Sequence, residues 1–358
     1  MRLISVQKLE PSMELAKPIY YHDTLVLKEG CTNLVRFIDK LTFLGINFVY
    51  IRDEISEGIE VPDVVAQSTK QSCKLQLQQT IKNYVKSDHL DVTTLTDSIS
   101  SLLDEILENN DVMISLKEIS STDESTYIHS ISTTIYSLIL ATHLGYPRET
   151  LKKLALGAIL HDLGKLLLDN KIIFKKDRLT DQEFEYVKSH TTLGYEALQK
   201  CQSLTELSRI IALSHHEKLN GSGYPNHVCS NQLHAFIRIV TIADVYDALT
   251  SDRCYRKHWT AKQAFDHLIE NSGTLYDTEL VRIFIQHISI YPNGSIVRLS
   301  NNYIAIVKDQ NANIPERPIV RVIADPQGSV IKPYLIDLMY ELSITIIDSE
   351  LDIPFKAN

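Results

Sequence analysis

Seven histidine and aspartate side chains fall in one ordered series in the middle of this 358-residue chain: His129, His161, Asp162, His190, His215, His216 and Asp244. Taken one at a time they say little. A single histidine on an amphipathic helix is more often a satisfied structural group than a ligand, and His143, His227, His234, His258, His267 and His287 are read that way. The order is what carries information. His129 is followed by His161-Asp162 with Gly164-Lys165, then His190, then His215-His216-Glu217 with the loop Gly221-Ser222-Gly223-Tyr224-Pro225, then Asp244. Imidazole with carboxylate is a donor set for Fe, Mn or Zn-type cations, whereas carboxylate with water would suit Mg. Neighbouring helical residues point about 100° apart, so His161 and Asp162 can serve two adjacent ions or one ion from two sides.

Such a set suits hydrolysis of a phosphodiester. Two ions roughly 3.5–4 Å apart lower the pKa of a bridging water and stabilise charge on the attacking and leaving oxygens. No Ser or Cys nucleophile with a paired base stands out. Lys165 follows His161 by four residues and shares its face if the helix continues that far. Its ammonium then sits near the metals as a point charge for a phosphate oxygen. The Gly221–Pro225 loop is no P-loop, since no Gly-Lys-Ser/Thr follows. Its glycines permit a tight turn, and Tyr224 can present an aromatic face.

These segments, with Ala243-Asp244-Val245-Tyr246-Asp247-Ala248-Leu249-Thr250 and Ser251-Asp252-Arg253-Cys254-Tyr255-Arg256, resemble the HD-GYP branch of the HD phosphohydrolases, closely over about residues 125–285. The resemblance implies an all-helical catalytic domain that hydrolyses cyclic di-GMP to pGpG, GMP or both. It implies His129, His161, Asp162, His190, His215, His216 and Asp244 as metal ligands, with Asp162 bridging and catalytic alongside Lys165. Lys165, Arg253, Arg256 and Tyr224 become substrate contacts, although a helix-end charge pair is nearly as good a reading of Arg256. Two divalent ions are expected, Fe or Mn first, with Mg, Zn or Ni as alternatives. Family members with a third metal carry Glu four residues before the first histidine. Here that position is Ser125, and Glu124 is off the ligand face, so a binuclear site is expected. Asn220 stands where the family usually has Asp. The loop is expected to be structural or to dock diguanylate cyclase domains, and a homodimer is compatible with the pattern. Two rivals share these residues: a cyclic-dinucleotide sensor without turnover, and a phosphodiesterase for another cyclic dinucleotide such as cyclic GMP-AMP or for a nucleotide monoester.

The elements that must position these residues are mainly helical. Ile81–Val85, Ile99–Ile106, Ile131–Leu140, Leu151–Leu160 and Phe184–Leu198 fit helical periodicity. Residues 61–288 are therefore read as a helical catalytic domain. Residues 1–60 are read as a small α+β module: strand-like Thr24–Leu27 and Phe48–Ile51, a helix through Leu34, Ile38, Leu41 and Leu44 ended by Gly45, and an acidic linker from Arg52 to Glu60. Residues 289–358 turn to period two. Ser295–Leu299, Tyr303–Val307, Ile319–Ile323 and Ser329–Ile331 read as strands, with turns at Asn301-Asn302 and Pro326-Gln327-Gly328. The expected fold is mainly α, with an HD-type helical domain between a small α+β module and a small β module.

Composition narrows the partners. A net charge of −9 disfavours binding to nucleic-acid polymers, so an anionic substrate must be held by metal or by local positive charge. No apolar run approaches the roughly 20 residues that span a bilayer, and Met1–Glu10 lacks a signal-peptide core. A cytoplasmic, membrane-free protein is expected. The five cysteines, odd in number and widely spaced, read as reduced thiols.

Overall fold

The computed structural model describes residues 1–21, 24–109, 113, 125–173, 175, 177–251, 259–312 and 314–349, the side chains of Ser125 and Asn231 excepted. They fall into two compact units. One is drawn from Met1–Pro62 and Gln286–Asn358, the other from Asp63–Val112 and Thr122–Ile285.

The first unit joins both ends of the chain. Its N-terminal part carries β1 (Arg2–Ser5), β2 (Glu14–Leu15), β3 (Ile19–Tyr21), β4 (Thr24–Leu27), α1 (Ile38–Phe43) and β5 (Phe48–Arg52). β5 lies between β1 and β2, and β3 pairs with β4, all antiparallel. Ile4, Val6, Leu15, Leu34, Leu41, Val49 and Ile51 close a core between them. Gly45 ends the helical stretch at φ +75°, a left-handed conformation that glycine adopts without cost. The C-terminal part is one antiparallel sheet of β6 (Ile296–Leu299), β7 (Ile304–Asp309), β8 (Ile319–Ala324), β9 (Val330–Asp337) and β10 (Ile346–Ser349), in the order β10-β6-β7-β8-β9. β10 was not anticipated, because Ile346–Ser349 is too short to show alternation.

The acidic stretch expected as a linker is structured. Asp53 caps a 3-10 turn at Glu54–Ser56 with a reciprocal capping box, and Arg2 bonds its carboxylate at 2.7 Å. Ile55 and Ile59 pack with Ile296, Ile304, Ile306 and Ile323. Arg321 Nη1 donates to the carbonyls of Ile55 and Glu57. Charge at alternate positions hid a turn whose apolar residues face the C-terminal sheet.

The second unit is helical, as expected: α2 (Gln67–Ser87), α3 (Thr93–Glu108), α4 (Ser125–His143), α5 (Arg148–Ile159), α6 (Asn170–Ile173), α7 (Asp181–Lys188), α8 (His190–Gln199), α9 (Glu206–Ser214), α10 (Ala235–Thr250), α11 (Ala261–Glu270) and α12 (Thr278–His287). α4 is its central post. Every residue from His129 to Ala141 is buried, and the helix packs against α5 and α10. A helix buried all round cannot show a polar face; its Ser and Thr residues are small enough to fit, and Thr134 returns its hydroxyl to the Ser130 carbonyl at 2.7 Å. Tyr136, Tyr246 and Phe284 meet edge to face at 5.1–5.9 Å, locking α4 to α10 and α12. No helix among the described residues is long and apolar enough to cross a membrane.

Candidate metal centre

His129 stands on α4. His161 and Asp162 do not stand on a helix: α5 ends at Ile159, and Leu163–Leu167 is a 3-10 helix. The expectation that Lys165 shares a helical face with His161 is therefore corrected. Lys165 reaches back instead to Asp162, its Nζ donating to Oδ2 at 2.6 Å across three residues, the eclipsed spacing of a 3-10 turn. Gly164 makes this turn possible. A Cβ there would collide with the His190 carbonyl oxygen and lie 2.7 Å from the Gly194 nitrogen.

The single helix expected over Phe184–Leu198 is likewise two. α7 stops at Lys188, the Ser189 amide bonds the Tyr186 carbonyl, and α8 starts at His190. The break aims His190 into the centre. His215 and His216 follow directly on α9, and Asp244 lies midway along α10. Gly223 lets the aromatic loop lie on the His215-His216 turn, since a Cβ would collide with Glu217 Cα and the His216 carbonyl. Buried Glu217 holds the loop by accepting the amides of Asn226 at 2.7 Å and Val228 at 3.2 Å.

All seven sequence-derived ligand candidates meet at one place, organised by Asp162. Its Oδ1 faces His190 Nε2 at 3.5 Å and His215 Nε2 at 3.6 Å. Its Oδ2 faces His161 Nε2 at 3.4 Å and His129 Nε2 at 3.7 Å. Asp244 joins both sides, with Oδ1 3.0 Å from His129 Nε2 and Oδ2 3.7 Å from His216 Nδ1. Two clusters thus share Asp162: His129 with His161, and His190 with His215 and His216.

The donors fit cations. Ligand atoms about 2.1 Å from a shared tetrahedral ion lie about 3.4 Å apart, close to the spacings around Asp162. Buried His161 Nε2 and Asp162 Oδ1 have no hydrogen-bond partner, a condition that costs on the order of 1–3 kcal/mol per group unless something else satisfies them. Three rings are also set in the right tautomer. His161, His190 and His215 point Nδ1 at the carbonyls of Ala158, Val187 and Ile211 at 2.6, 2.7 and 3.0 Å. A carbonyl only accepts, so Nδ1 carries the hydrogen and Nε2 is left to face the centre.

Electrostatics agree. Burial, then Lys165, lowers His190 to about 3. Burial also lowers His215 and holds His216 well below its ordinary value, so these rings stay neutral. Burial works against the charge on Asp162, but Lys165 and His161 outweigh it and keep the carboxyl well below its usual range. His129 is the exception: burial acts to lower it, yet Asp244 and Asp247 raise it to about 9. Positive charge is most stabilised between those carboxylates.

Two contributors were missed in the sequence. Asp247 is buried and bonds His129 Nδ1 at 2.6 Å; its position three residues after Asp244, on one helical face, was the available signal. Lys218 lies over the Tyr276 ring at 4.9 Å, and burial lowers its ammonium to about 8 against the pull of Asp244. Nothing in the sequence distinguished it from a surface lysine. Tyr224 does lie at the centre, its ring 4.7 Å from that of His216. Arg253 and Arg256 lie outside the described residues. Of the histidines read as structural, His143 bonds the Ile139 carbonyl, His234 caps α10, and His267 meets Tyr276.

Residues 103–280 match the family model described as HD domain, and residues 296–351 match one described as KOW domain associated with HD domain. A cyclic di-GMP phosphodiesterase of Pseudomonas aeruginosa is 32% identical over 250 residues, 70% of this chain and 60% of that protein. A cyclic di-GMP phosphodiesterase response regulator of Xanthomonas campestris is 36% identical over 144 residues, 40% of this chain and 38% of that protein. The matches thus span less than two thirds of either relative. Among solved structures, an HDG"Y"P protein of Bdellovibrio bacteriovorus is similar in fold, with a TM-score of 0.53 at 17% identity, over 79% of this chain and 97% of that one. With its motif residues gathered at one centre, this chain belongs to the HD domain family and carries the residue pattern of the HD-GYP branch.

Proposed function

We propose that this chain is a metal-dependent phosphodiesterase acting on a cyclic dinucleotide, cyclic di-GMP first. The observation that carries it is Asp162, whose two oxygens each face a different histidine pair. His129, His161 and Asp162 would hold one divalent cation, and Asp162, His190, His215 and His216 a second, with Asp244 reaching both groups. Cations bound there supply Lewis acidity and an activated water, the chemistry that phosphodiester hydrolysis needs.

The chain's own residues do the rest. Backbone carbonyls lock three imidazoles in the ligating tautomer. Lys165, partly open to solvent beside Asp162, offers positive charge to a phosphate oxygen in a molecule whose net charge is −9. Lys218 adds a second. Tyr224 lays its ring beside His216, at the more exposed side of the centre. Arg253 and Arg256 remain proposed substrate contacts. The product is pGpG, GMP or both, and the loop around Tyr224 is also a proposed docking element for diguanylate cyclase domains.

The test is turnover of cyclic di-GMP, cyclic GMP-AMP and cyclic di-AMP by anaerobically purified, metal-analysed protein. We expect two ions per chain, with cyclic di-GMP the best substrate. His161→Ala and Asp162→Ala should abolish turnover while helical circular dichroism persists. A wild type that binds cyclic di-GMP without hydrolysing it would make this a sensor, and three tight ions would refute the binuclear site.

A further inference from the structure

The ligand rings leave one open side. The side chains of His161, His190 and His215 are 0% exposed and His129 is 9% exposed, whereas His216 and Lys165 reach 20%. From His216 a stack of side chains runs outward. The Tyr224 ring lies over His216 with only 30° between planes. The Lys188 ammonium sits 5.4 Å from the Tyr224 ring and 4.9 Å from that of Phe184. Exposure grows along the way, to 26% at Lys188 and 48% at Phe184.

Both outer residues belong to α7, which is held firmly for so short a helix. Thr180 and Glu183 form a reciprocal capping box, and Lys175 bonds both Glu183 oxygens at 2.7 Å. Lys188 pairs with Glu185, which is 69% exposed, and such exposed pairs contribute little. An exposed aromatic ring with one face turned to an ammonium and the other left for stacking, next to the ring that covers His216, suits a nucleobase. An aromatic ring stacks on any base. An ammonium discriminates, because guanine presents O6 and N7 as acceptors where adenine presents a donor at N6.

We infer that Phe184 and Lys188 form a base subsite of this centre: Phe184 stacks on one purine of the dinucleotide, and Lys188 selects guanine through its O6 and N7 edge. The inference rests on the phosphodiesterase reading and deepens it. Neither residue is a metal ligand, so their loss should act on binding rather than on chemistry.

Steady-state kinetics on the metal-loaded full chain tests it. Phe184→Ala should raise KM for cyclic di-GMP about 5- to 50-fold with kcat within about twofold, and Phe184→Tyr should restore KM, because a phenol stacks as phenyl does. Lys188→Met should cut the preference for cyclic di-GMP over cyclic di-AMP about tenfold. A fall in kcat at unchanged KM, or unchanged KM in Phe184→Ala, would overturn the subsite. Should the wild type turn over no cyclic dinucleotide, the phosphodiesterase reading fails by itself, and calorimetric binding of GMP against AMP then reads the subsite. Tighter GMP binding, weakened by both variants, upholds it; equal binding, or none, overturns it.

Discussion

Asp247 shows how much of a candidate metal centre lies behind its candidate ligands. Its carboxylate bonds His129 Nδ1 and fixes which nitrogen faces the ion-binding side. Asp247→Asn keeps the shape and removes the charge. Loss of such a supporting carboxylate typically costs 10- to 100-fold in metal affinity, so metal titration should show a drop of roughly that size with helical content intact. A second residue-scale prediction concerns Cys73 on α2, fully buried with its thiol near the Ser98 carbonyl. Burial, helped by Glu105, pushes its pKa from 9.0 up to about 12. The folded value is the higher one, so the stabilising contribution is whole below about pH 9 and fades as pH rises from 9 toward 12. Between pH 8 and 10.5 the urea midpoint of wild type should fall more than that of Cys73→Ala. At pH 8, iodoacetamide should label exposed Cys229 and spare Cys73.

Among the elements, the decisive ones are breaks. Stopping α5 at Ile159, splitting α7 from α8 at Ser189, and running Leu163–Leu167 as a 3-10 turn bring His161, Asp162, Lys165 and His190 together. Gly164 sits where these pieces touch. Gly164→Ala forces a Cβ into the His190 backbone, and overpacking of this kind costs about 1–3 kcal/mol or more. For a unit of this size that is a melting-temperature loss of at least several degrees. The displaced backbone carries His190, so bound metal should fall as well, and calorimetry with metal analysis reads both.

At the scale of the whole molecule, the chain ends build one unit and the middle builds the other. Ligand binding stabilises the state that binds. Adding divalent metal should therefore raise the melting transition of the helical unit and leave the other in place. Asp53→Ala should do the reverse: it removes the carboxylate bonded to the buried Arg2 guanidinium and the cap of the Glu54–Ser56 turn, a loss of about 1–3 kcal/mol. Differential scanning calorimetry of the full chain distinguishes the two effects, and a common shift of both transitions would show the units melting as one.

The sequence alone determined the donor chemistry, the helical middle, most strands of the ends, and turns such as Gly45 and Gly328, because periodicity and φ preference are local properties. The seven ligand candidates were legible through their order and through a family pattern. What only the tertiary structure decided was non-local. No period in the sequence separates α7 from α8, since Ser189, where the two helices part, is a residue that helices also carry in their interiors. Nothing local reveals that Asp247 turns to His129, a residue 118 positions away, or that half-buried Lys218 lies over the Tyr276 ring. Nor does an acidic run announce that its isoleucines lie on a sheet more than 200 residues further on. Residue type sets what a side chain can do, and burial among distant neighbours sets whether it does it.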